Sequence, residues 1–174
     1  MGHVLRIVVF LLIIAAAWLL LPFGSAGTDS RPRPAILYEQ AIARIDSLRA
    51  EDSPAIAGEC STVLLTHGHR TTHVIVLLHG LTNCPAQFDS LARMVFANGA
   101  NVLVPRLPHH GFADRMTDEL ARVDARELCA FTDRVLDAAH GLGDTVTVAG
   151  LSIGGVMTAW AATSLPTTAP PQHW

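Results

Sequence analysis

Five consecutive residues, Gly150, Leu151, Ser152, Ile153 and Gly154, place a hydroxyl between glycines two positions to either side. A β-branched run, Thr145 to Val148, precedes them, and a helix-compatible segment reaching Trp160 follows. The order predicts strand, tight turn, helix. Gly150 and Gly154 would let strand and helix backbones approach without Cβ clashes, leaving Ser152 on a strained turn with its hydroxyl exposed at the carboxyl edge of a sheet. Ser152 is therefore a candidate nucleophile. A serine hydroxyl is a weak one at neutral pH, so the chemistry also needs a general base and prepositioned donors for an oxyanion.

Two other stretches could contribute. His79, Gly80, Leu81, Thr82 and Asn83 follow an apolar run, and residues 105–111, PRLPHHG, form a loop-like segment with paired histidines His109 and His110. His67, His69 and His73 straddle a turn and have no acidic ligand beside them, so no metal and no cofactor is expected. Cys60, Cys84 and Cys129 have neither C-x-x-C spacing nor even number. They allow one disulfide with a leftover thiol in an exported chain, or three reduced thiols otherwise, and their spacing does not choose a pair.

The elements that must position these residues alternate. Residues 61–66 read as a short strand and residues 73–79 as a strand buried on both faces. A helix over 85–98 closes at Gly99, and residues 101–104 make another buried strand. Residues 118–140 read as one long helix with Leu120, Val123, Leu128, Phe131, Val135 and Leu136 as its stripe, ended by Gly141 and Gly143. The predicted class is α/β: a mostly parallel sheet with flanking helices. Ligands of such sheets sit at the carboxyl ends of the strands, where the loops after His79, Val104 and Ala149 converge.

Residues 7–21 are fifteen apolar residues in a row, preceded by Arg6 and followed by small residues at Gly24 and Ala26. Residues 1–26 are thus expected to be a signal peptide cleaved after Ala26, or an anchor through residues 4–21 that leaves the remainder outside the membrane. Residues 27–34 read as a linker, and 35–60 as an amphipathic helix over 36–49 with its connection. The net charge is -3 and all twelve basic residues are arginine, which offers no electrostatic footprint for nucleic acid.

With HGLTN at 79–83, PRLPHHG at 105–111 and GLSIG at 150–154 in that order, the chain resembles the α/β-hydrolase family, specifically its bacterial esterase, lipase and monoacylglycerol-lipase-like members. The resemblance covers residues 61–162, a partial hydrolase domain, with 163–174 an irregular tail. It implies acyl transfer from a small-molecule or lipid-like carboxylic ester to Ser152, with the backbone N–H groups of Ile153 and Leu81 as oxyanion donors. It implies that His79, Gly80, Gly150 and Gly154 shape the motifs, and that His110 lines the substrate site. The family triad runs Ser, then Asp or Glu, then His. After Ser152 there is no acidic residue, and His173 is the sole later histidine. The expectation is a hydrolase cut short after the serine turn. The alternatives are a catalytically inactive, membrane-tethered binding module, a chain completed by a second one, or a base rewired to His110.

Overall fold

The computed structural model describes residues 2–20 and 27–164. Four strands form one sheet: β1 (Val63–Leu65), β2 (Thr71–Leu78), β3 (Asn101–Val104) and β4 (Gly143–Gly150), in the order β1-β3-β2-β4. β2 pairs in parallel with β3 and β4, while β1 is antiparallel to β3. The first crossover from β2 passes through α3 (Asp89–Ala97) to β3, and the second through α4 (Ala125–Ala139) returns past β2 to β4. The direction of winding reverses at β2. That reversal leaves a crevice at the carboxyl ends of β2 and β4.

The alternation of strand side chains divides the core in two. Val74, Val76 and Leu78 face a layer of α2 (Tyr38–Arg49), α4 and α5 (Ile153–Ser164), where Ile45, Phe131, Val135 and Met157 are buried with them. Ile75 and Leu77 face α3, against Ala92, Val95 and Phe96. At the sheet edge this second face is bare, because Thr145, Thr147 and Ala149 of β4 are exposed.

Two segments differ from the sequence expectation. The helix expected over 118–140 is broken into a 3₁₀ turn, Glu119–Arg122, and α4. Asp124 causes the break: its extended backbone ends the turn, and its Oδ1 accepts from the N–H groups of Arg126 (2.9 Å) and Glu127 (3.3 Å), capping α4. The segment expected as a linker lies along α4. Asp133 accepts from Ser30 Oγ (2.7 Å) and Arg31 N–H (2.8 Å), Asp137 accepts from Arg33 N–H (2.7 Å), and Trp160 Nε1 donates to Thr28 O (3.0 Å).

Near the amino terminus α1 covers Gly2–Leu20, with Phe10 and Leu12 exposed. Among the described residues no helix is long and apolar enough to cross a membrane. The cleavage position after Ala26, His173 and residues 165–174 of the expected tail lie outside the described residues.

A disulfide joins Cys60 to Cys84, and Cys129 is a free thiol. Thiol titration of the denatured chain should accordingly find one reactive group before reduction and three after it. Arg106 and Asp52, each 8% exposed, are paired at 2.6 Å through Nε and Oδ1. Neutralising one partner strands a buried charge, so Asp52→Asn should lower stability by about 3–5 kcal/mol in urea unfolding.

Candidate active site

The parallel register from Thr71↔Gly143 to Leu78↔Gly150 brings β2 and β4 out of the sheet side by side. Leu151 N–H then donates to Leu78 O at 3.0 Å, and the chain turns sharply into α5. At the corner Ser152 has φ of 56°, the left-handed region that side chains other than glycine enter at a cost of about 1–3 kcal/mol. The cost is offset by a closed local network: Gly154 N–H donates to Leu151 O (3.0 Å), and Gly155 and Val156 N–H donate to Ser152 O (2.9 and 3.2 Å). The flanking glycines are required by backbone contact. A Cβ on Gly150 would lie 2.2 Å from the Gly154 carbonyl carbon, and one on Gly154 would lie 2.0 Å from Leu78 O.

Ser152 is exposed. Ile153 begins α5, so its N–H belongs to the first-turn donors that a helix cannot satisfy itself, at the positive end of the helix dipole. Across the crevice the chain leaving β2 makes a turn closed by Asn83 N–H donating to Gly80 O at 3.0 Å, with Leu81 at its second position. Gly80 itself reaches the serine, since a Cβ there would stand 3.7 Å from Ser152 Cβ. Its N–H donates to Gln87 Oε1 at 2.9 Å.

His79 is fully buried and both ring nitrogens are engaged. Leu107 N–H donates to Nε2 (3.1 Å), so the ring proton sits on Nδ1 and donates to Gly80 O (3.0 Å). The ring must be neutral to accept from Leu107, and burial pushes its pKa down to about 4. This imidazole ties the loop after β2 to the loop after β3.

That second loop is anchored by Arg106. Besides Asp52, its guanidinium donates to Glu51 O (2.8 Å) and His110 O (3.1 Å), and its backbone N–H donates to Thr62 Oγ1 (3.1 Å). His109 has φ of 64° and holds Glu119 Oε2 (2.8 Å) and Glu127 Oε2 (2.9 Å) at its two nitrogens. The hydrogen bond from His109, with a second from Arg122, pulls the Glu119 carboxyl below its ordinary range. His110 is buried, its Nδ1 donates to Pro108 O at 2.7 Å, and its Nε2 has no partner. Burial lowers its pKa, opposed by the carbonyls of Pro108 and Leu81. Gly111 (φ 80°) then passes over the disulfide, where a Cβ would lie 2.9 Å from Cys60 Cβ.

A family model described as "Alpha/beta hydrolase family" matches residues 75–171, more than half of the sequence. The chain belongs to the α/β-hydrolase family. A solved structure from work on LipS and LipT, two metagenome-derived lipolytic enzymes, aligns with a TM-score of 0.51 and 26% identity, over 62% of this chain and 41% of that one. The chain thus spans less than half the length of that solved structure. No curated protein matches it.

The sheet brings Ser152, Ile153, Gly80 and Leu81 to one edge. It does not bring the histidines to the serine. His79 is occupied on both sides, His110 bonds to Pro108, and among the described residues Ser152 Oγ has no hydrogen-bond partner. The rewired base considered for His110 is therefore not formed. Three positioning features escaped sequence reasoning: Gln87, the Asp52–Arg106 pair, and the choice of Cys84 as the disulfide partner of Cys60. An acceptor seven residues after Gly80 carries no motif, and the other two depend on distant residues.

His79 also generates a pH prediction. Its folded pKa lies below its unfolded value near 6.5, so the unfolded chain binds the extra proton first. The contribution of neutral His79 should be intact above pH 6.5, fall by about 3 kcal/mol as pH drops toward 4, and flatten below that. Urea unfolding of the parent and His79→Gln across this window should show the parent's steeper acid loss, on top of the same-direction contributions of His110 and His140.

Proposed function

We propose that this chain carries the nucleophile half of a serine hydrolase of esterase or lipase type, acting on carboxylic esters through an acyl-Ser152 intermediate. The observation that carries the reading is the left-handed, exposed Ser152 at the head of α5, facing the Gly80–Leu81 turn. In the forward reaction Ser152 Oγ bonds to the ester carbonyl carbon and loses its proton to a base. The carbonyl oxygen becomes an oxyanion at the N–H groups of Leu81 and Ile153, and when the carbonyl re-forms the C–O bond breaks and the alcohol leaves with the proton the base had taken. Water then releases the acid by the same route. The base comes from outside the described residues, because the described histidines do not reach Oγ. Ester substrates are further supported by the lipolytic neighbour.

Export belongs to the same proposal. The apolar run of residues 7–21, the exposed apolar side chains of α1 and a disulfide all favour an oxidising compartment, with the chain either released after Ala26 or held at the membrane by residues 4–21. An inactive, membrane-tethered interaction module is the second reading, favoured by the unpartnered Ser152 Oγ and the bare face of β4.

A fluorophosphonate probe separates the two. The parent chain should become labelled at Ser152 while Ser152→Ala stays unlabelled. Equal labelling of both removes Ser152 as the nucleophile, and labelling of neither shows that this chain alone does not activate Ser152.

A further inference from the structure

Charge is unevenly spent on the outer face of α4. Arg126, Cys129, Asp133, Arg134 and Asp137 recur there at helical spacing and, with residues of the incoming segment, line a groove of about 400 Å³. Two of its carboxylates are committed to the fold. Asp133 is buried and accepts from Ser30 and from the Arg31 N–H, while Asp137 accepts from the Arg33 N–H and faces Arg44 at 4.0 Å. Pro32 and Pro34 have no N–H, so both N–H groups of residues 31–34 go to α4 and fix the segment there.

The arginine side chains of the same groove are left over. Among the described residues the guanidinium groups of Arg31, Arg33 and Arg126 have no ion-pair or hydrogen-bond partner, and all three residues are exposed. By contrast Arg70, Arg106 and Arg134 each find a carboxylate within the fold. Asp29 is the exposed carboxylate that shares the groove with the three. Planar guanidinium groups bind phosphate oxygens through paired N–H donors, so the cluster suits a phosphate-bearing partner.

The course of the chain brings a membrane to this groove. Gly27 enters the domain against Arg126, where a Cβ would lie 3.0 Å from the arginine Cδ. α1 ends at Leu20, and the stretch from Leu20 to Gly27 reaches at most about 25 Å even when fully extended. With residues 4–21 held in a bilayer, the mouth of the groove at Gly27 stays within that distance of the anchor's end. The whole chain carries a net charge of -3, which an anionic surface repels. Charges are screened beyond about 8 Å at physiological ionic strength, so the local cluster governs the contact once the tether has brought it close.

We propose that the groove bearing Arg31, Arg33 and Arg126 is a docking surface for an anionic membrane, with headgroup phosphates seated among the three guanidinium groups. The proposal rests on the anchored form of the export reading and adds to it the face that the domain turns toward the bilayer. Ser152 takes no part in it.

The test mixes the full chain with vesicles of phosphatidylcholine alone, or of phosphatidylcholine with phosphatidylglycerol. Each arginine near an anionic surface strengthens binding roughly 5-fold, so the parent should partition into the mixed vesicles on the order of 100-fold better than the combined Arg31→Gln, Arg33→Gln, Arg126→Gln variant at low salt. The difference should shrink as salt rises. Cys129, the free thiol in the groove wall, gives a second readout that needs no variant. Its reaction with an uncharged polyethylene glycol maleimide should slow several-fold on mixed vesicles relative to phosphatidylcholine. Equal partitioning of parent and variant into mixed vesicles, or a Cys129 rate that is the same on both vesicles, overturns the docking surface. Binding to phosphatidylcholine alone is scored separately, as the readout of α1. Binding there without an anionic preference keeps the anchor and removes the docking surface, whereas an anionic preference without it removes the anchor and keeps the surface.

Discussion

The contact of Gly154 with the carbonyl of Leu78 governs the geometry of this molecule. A side chain at 154 would place its Cβ 2.0 Å from that oxygen, and one at 150 would meet the Gly154 backbone at 2.2 Å. The first turn of α5 therefore lies directly on the ends of β2 and β4, closer than any pair of side-chain-bearing residues could allow. From that approach follow the left-handed Ser152, its exposure, and the alignment of the α5 amino terminus with the turn after β2. β2 and β4 end side by side because the parallel register pairs Leu78 with Gly150.

Around this contact the loops are held by buried polar groups more than by apolar packing. His79 accepts from one loop and donates to the other, which only a neutral imidazole can do, and its burial keeps it neutral. Arg106 gathers Asp52, Glu51 O and His110 O, so the segment after α2 and the segment after β3 move as one piece. The disulfide ties the same region to the turn that carries Leu81. Each group is costly if its partner is lost, which restricts the loops to one arrangement. Among the described residues Ser152 Oγ has no hydrogen-bond partner, and the edge strand β4 leaves Thr145, Thr147 and Ala149 exposed.

Much of the architecture was legible residue by residue. The continuous apolar run of β2 announced a strand buried on both faces, and the glycines around Ser152 announced the strand-turn-helix, because both are local demands on backbone and burial. The single helix expected over 118–140 is interrupted for a local reason. Asp124 competes for the N–H groups of Arg126 and Glu127 and so begins a helix in place of continuing one. The segment at 27–34 looked like a free tether by composition, yet Asp133 and Asp137, one helical turn apart on α4, take its N–H groups. Polarity and proline content report how a segment solvates, and they do not report which distant acceptor it will meet.

The sequence by itself determined the order of strands and helices, the family, and the position of Ser152, since these rest on periodicities and on glycine spacings that act within a few residues. Only the tertiary structure decided which cysteines join, that His79 would be neutral and spent on two loops, that Arg106 would find Asp52, and that His110 would keep an unanswered lone pair away from Ser152. The reason is separation along the chain. These partners stand 24 to 54 residues apart, and their meeting depends on the sheet order β1-β3-β2-β4, which no single stretch encodes.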